Sequence, residues 1–194
     1  MGMSMTNIPP VDDGRASPGL LGVDFSSAPR AAKPIVAAWG RRAGAVVRLE
    51  AIEPVGNLDG FAALLQRQGP WLGAFDLPFG LPRELVQALG WPDQWLPLMR
   101  HYAALTREQI RDTFAAFCDA RPVGSKFAHR ACDGPAGSSP SMKWVNPPVA
   151  YMLHAGVPRL LDAGVHLPGL HAGDTARVAL EAYPGLLARE LIGN

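Results

Sequence analysis

Apolar residues in this chain gather in short runs punctuated by glycine and proline, and the period of the pattern changes along the sequence. Residues 20–25 form a nearly continuous apolar run, broken by Asp24 and followed by Ser26, Ser27 and Pro29, which predicts a buried strand. Residues 33–41 and 45–54 predict two more strands, joined by a tight turn over 42–44. In the second of these, Val47, Leu49 and Ala51 alternate with Arg48, Glu50 and Ile52, the pattern of an antiparallel strand with one wet face. The period then changes. Asn57 is a good N-cap for a helix over 58–68, whose Leu58, Phe61, Leu64 and Leu65 share a face.

A strand returns over 71–77, and Pro82 opens a short helix over 83–89 that Gly90 closes. Thr106 and Gln109 form a capping box for a helix over 107–119, with Ile110, Phe114 and Phe117 facing inward. Residues 123–144 read as a long polar loop, a length usually tied to function or mobility. Residues 148–163 are helical in pattern, with a break expected near Pro158. A last strand over 178–182 and a final helix over 185–191 follow. The order is strand, two-stranded hairpin, helix, strand, helices, strand, helix. That order predicts an α/β domain: a mixed five-stranded sheet with helices on both faces, and the 20–25 strand between 33–41 and 71–77.

Composition narrows the picture little. The 194 residues suffice for one domain over 20–194, with residues 1–19 read as a disordered leader. A net charge of +1 excludes a strongly basic polyanion binder but not a local basic patch. The two cysteines, Cys118 and Cys132, exclude a disulfide framework and show no zinc-ligand spacing. No apolar window is long enough for a membrane span and no signal peptide is read near the start, so a cytoplasmic location away from membranes is expected.

The chemistry lies in three carboxylates. Asp24, Asp76 and Glu181 each sit in an apolar strand-like run beside a Gly/Pro turn. A carboxylate in such a run is costly unless something cationic satisfies it. Each alone is explained by a local cap; Asp76, for example, is placed to accept the amides of Phe79 and Gly80. Together they suggest a site for Mg²⁺ or Mn²⁺, which takes few protein carboxylates and shares its other positions with water and phosphate oxygens. Asp24 and Asp76 would bracket the ion, with Glu181 as a third ligand or a general base. Arg130 and Lys143, in the long polar segment, are the candidate phosphate-binding cations, and Ser26 is either a simple turn residue or a substrate contact.

The segments GVDFSSAP (22–29), FDLPFGLP (75–82) and EAYP (181–184) resemble domain-of-unknown-function family 429, described as predicted nucleases with a ribonuclease H-like fold. The regions 130–133 and 146–152 are similar too. The resemblance implies a metal-dependent nuclease acting on nucleic acid or another phosphorylated substrate. It implies Asp24, Asp76 and Glu181 as first-, fourth- and fifth-strand acids. It also implies an acid on a late helix, for which Glu190 is the only candidate in a short ending, so the domain is either cut short or closes on a minimal last element. The same broad fold hosts sugar kinases and actin-like ATPases, but the 40–44 hairpin lacks a phosphate-cradling GxGxxG. A non-catalytic binding module of this fold is the third alternative.

Overall fold

The computed structural model describes residues 18–192; most of the segment read as a leader, residues 1–17, lies outside the described residues. The chain forms a mixed α/β sheet of six strands: β1 (Gly19–Asp24), β2 (Ile35–Ala43), β3 (Val46–Val55), β4 (Trp71–Asp76), β5 (Val165–His166) and β6 (Asp174–Glu181), in the order β3-β2-β1-β4-β6-β5. As expected, β1 lies between β2 and β4; it pairs antiparallel with the former and parallel with the latter. β6 runs parallel to β4, so β1, β4 and β6 deliver their C-terminal ends to one edge. The sheet has six strands instead of five because the two residues of β5 add an outer edge beside β6, too short to leave a periodic signal.

Local capping accounts for the helices that the pattern predicts. The Asn57 side chain accepts the amide of Gly60 at 2.7 Å and starts α1 (Leu58–Leu65). Thr106 and Gln109 close a reciprocal box at the start of α4 (Arg107–Asp119). Between them lie α2 (Arg83–Ala88) and α3 (Trp95–Ala103); the latter was not apparent from the sequence. The long polar segment is not wholly loop, since it contains one helical turn, α5 (Asp133–Ala136). The next helix, α6 (Val149–Asp162), runs through Pro158 without the expected break. A proline inside a helix costs about 3 kcal/mol. Here Leu153, Val157 and Leu160, all fully buried, offset that cost by packing the helix on both sides of the proline.

Strand alternation divides the sheet into two unlike faces. Leu21, Val23, Ile35, Ala37, Trp71 and Phe75 point into a single core, where they meet Phe61 and Leu65 of α1 and Leu153 and Val157 of α6. Gly156 of α6 lies so close to Leu77 that an added Cβ would stand 2.9 Å from its methyl carbon. On the opposite face Leu72 is 37% exposed, Leu180 41% and Ile52 61%, and Ala74 is exposed as well. Helices were expected on both faces; among the described residues, those that pack into the core lie on one. The expectation of a half-buried β3 fails: Val47 and Leu49 are exposed too, because β3 is an edge strand extending beyond the helices. The last helix, α7 (Pro184–Ile192), buries none of its side chains. Among the described residues, no helix is long and apolar enough to cross a membrane.

Candidate functional site

Open parallel sheets bind ligands beyond the carboxyl ends of their strands, and the C-terminal ends of β1, β4 and β6 carry Asp24, Asp76 and Glu181. Register decides how these acids meet. Asp24 is the direct Cα partner of Asp76, whereas Glu181 pairs with Phe75, one residue earlier on β4. Neighbours in register project to the same side, so Asp24 and Asp76 share the uncovered face while Glu181 starts on the helical one. Among the described residues, no three His, Cys, Asp or Glu side chains come together closely enough to hold a metal ion. Two of the three expected carboxylates are paired, and the third is engaged elsewhere.

The Asp24–Asp76 pair is electrostatically unrelieved. Burial, and then the nearby Asp24 carboxylate, push the Asp76 carboxyl above its ordinary value. No ion pair to either aspartate is present among the described residues. Two carboxylates on adjacent strands, one of them half-buried, are a donor set that a divalent cation fits, with water and phosphate oxygens completing the shell.

Glu181 is, by contrast, closed by the protein itself. Arg130 donates to its carboxylate in a bidentate fork, Nη1 at 2.8 Å and Nη2 at 2.7 Å. The amide of Phe79 donates a further bond at 2.8 Å. The amide that the sequence offered to Asp76 is thus taken by Glu181, across the gap between β4 and β6. Arg130 also donates through Nε to Asp133, 3.0 Å away, and its backbone amide bonds the same carboxylate at 2.8 Å. The Asp133 side chain is 0% exposed. Burial by itself would lower the pKa of Arg130; the bonds to Glu181 and then to Asp133 outweigh it and raise the value. Arg130, expected as a phosphate clamp, is already shared between two carboxylates.

Asp133 is the residue that sequence reasoning missed as a participant. A lone aspartate in a Gly/Ser-rich stretch carries no periodic signal; its position at the start of α5, three residues after Arg130, is the one clue the sequence offers. Its backbone carbonyl accepts the amide of Ser138, and Gly137 follows α5 in a left-handed conformation with φ 62°, which turns the chain back toward the cavity.

That cavity, of about 220 Å³, is lined by Asp76 and Pro78 after β4, by Arg130, Ser138 and Ser139, by Pro147 and Met152 beside α6, and by Glu181 and Tyr183 after β6. It brings Asp76, Glu181 and Arg130 to one space. Asp24, Lys143 and Ser26 are not among its lining residues. Lys143 is half-buried, and its carbonyl accepts the amide of Ala150 ahead of α6. The Ser26 hydroxyl accepts the amide of Ala28 at 3.4 Å, the simple turn role. Glu190, on α7, is exposed. No family model, curated protein or solved structure matches the chain.

Proposed function

We propose that this chain is a metal-dependent phosphodiester hydrolase of the ribonuclease H-like class, related to family 429 and acting on nucleic acid or another phosphorylated substrate. The observation that carries the reading is the Asp24–Asp76 pair: two carboxylates in register on adjacent central strands, with the Asp76 carboxyl raised and, among the described residues, no ion pair to either. A meander followed by parallel strands, in the order β3-β2-β1-β4-β6, is consistent with that fold class. Asp24 and Asp76 would hold Mg²⁺ or Mn²⁺, which would supply an activated water and neutralise charge on the phosphate. Glu181 orients Arg130 and the Phe79 amide at the cavity wall. Arg130 contributes its positive field there, while Ser138 and Ser139 offer hydroxyls to phosphate oxygens. Lys143 and Ser26 would contact a substrate that extends beyond the cavity.

A second reading, the non-catalytic binding module, is favoured by the closure of Glu181. With that carboxylate bound by Arg130 and Phe79, two acids remain for an ion. Calorimetric titration of Mg²⁺ and Mn²⁺ into wild type and Asp24→Asn, followed by incubation with single-stranded, double-stranded and hybrid nucleic acids, separates the two. Metal binding and cleavage that both vanish in Asp24→Asn support the hydrolase. A folded wild type that binds no metal at millimolar concentration and cleaves nothing supports the module.

A further inference from the structure

We propose that the uncovered sheet face is the docking surface for a second copy of this chain, the two faces stacking with their strands antiparallel. Two neighbouring rows cross the sheet on this face. One is Ile52, Ala38, Gly22, Ala74 and Leu180; the other is Leu49, Gly40, Leu20, Leu72 and Val178. Neither row contains a charged or hydrogen-bonding side chain. A sheet face meant for water alternates toward polar residues, and contiguous apolar patches of several hundred Å² on a monomer mark interaction sites.

The occupant follows from shape and charge. A twofold axis crossing the strands midway between the two rows, at the level of Leu21, lays one row on the other. Gly22 of one copy then meets Leu20 of its partner and Ala74 meets Leu72, small against large, while Ile52 meets Leu49 and Leu180 meets Val178 at the flanks and Ala38 meets Gly40. The same axis exchanges the ends of the sheet. Asp24 and Asp76 stand at one end; the exposed Arg42 of the β2–β3 hairpin, on the same face as Ala38 and Gly40, stands at the other. Asp24 lies two residues beyond Gly22 and Arg42 four residues beyond Ala38 in the opposite direction, so both lie about 10 Å from that axis at ~3.3 Å per residue. Antiparallel stacking therefore sets the arginine end of each copy over the acidic end of the other. A twofold axis running along β1 would instead set Asp24 over Asp24.

The area suffices. Five strands about 4.8 Å apart and some six residues long cover roughly 500 Å² per copy, or about 1,000 Å² for the pair, the lower limit for a specific interface. An interface at that limit is expected to be reversible.

Analytical ultracentrifugation of the full chain over a concentration series tests the proposal. Wild type is expected to approach twice the mass of the chain at high concentration. Leu72→Glu and Ile52→Glu are expected to remain monomeric with unchanged far-UV circular dichroism, since both residues are already exposed in one copy. If either fails to fold, Ala74→Arg replaces it. Arg42→Glu is expected to weaken the dimer by about tenfold or more, and added salt to weaken the wild type. A wild type that stays monomeric at ~100 µM, or a dimer that withstands both glutamate substitutions, would overturn the proposal.

Discussion

At the C-terminal edge of the sheet the chain sets out carboxylates in two contrasting arrangements. Glu181 and Asp133 are satisfied from within, by the Arg130 fork and two backbone amides. Asp24 and Asp76 sit side by side with their mutual repulsion intact, and Asp76 is held above its ordinary value by burial and by its neighbour. The first arrangement is a structural lock. It ties the 130–138 segment to the ends of β4 and β6 and gives the cavity a fixed wall. The second stores unfavourable electrostatic energy that an incoming cation would release. A closed centre stabilises the fold, and an open one is where a ligand has something to gain.

The largest expected effect falls on the closed centre. Arg130→Ala leaves the buried Asp133 and the more exposed Glu181 without their cation, and removing the partner of a buried charge such as Asp133 costs about 3–5 kcal/mol. Urea unfolding measures it; a loss below about 1 kcal/mol would reduce the lock to a surface contact. Glu181→Gln keeps the shape but weakens the charged bonds, with an expected loss of about 1.5–3 kcal/mol. Its Mg²⁺ affinity should stay close to wild type. A large fall in affinity would move Glu181 into the open centre and erase the contrast.

Asp24→Asn should do the opposite, cutting Mg²⁺ affinity by about tenfold or more while slightly raising stability without metal, because one of two like charges is gone. The smallest effect concerns pH. Asp76 binds its proton more tightly in the folded chain than in the unfolded one, whose value is near 3.8. Above that value the unfolded chain has lost the proton while the folded chain retains it, so stability falls as pH rises until the folded carboxyl has ionised as well. Thermal melts across this window without metal should show the decline. Asp76→Asn should remove it.

How far the sequence revealed this arrangement depended on the range of each signal. Asn57 and Thr106 announce their helices because a cap is completed within three residues. The adjacency of β1 and β4 followed from the order of strand, hairpin, helix and strand, and Asp24 and Asp76 came with it. Helix α3 stayed hidden because Pro97, Arg100 and His101 interrupt its buried Leu98, Met99 and Tyr102. The fate of Glu181 turned on parity. Its partner on β4 is Phe75, not Asp76, and one residue of register is enough to change the side of the sheet. No local pattern carries that information. Nor does alternation say whether a strand's second face meets helices or is left uncovered, which is why helices were expected on both.

The spacing of paired strands also sets an order of assembly. Phe75 and Glu181 become neighbours although about a hundred residues separate them in the chain, whereas the β2–β3 hairpin closes within a few. During synthesis at roughly 5–20 residues per second, β1 to β4 emerge many seconds before β6. For that interval one edge of β4 has no partner, and neither the Phe79 amide nor the Arg130 fork has Glu181. The nascent chain thus carries an open β-edge beside an apolar face, the combination most prone to mispairing. The wall that Glu181 and Arg130 build forms only once β6 has emerged.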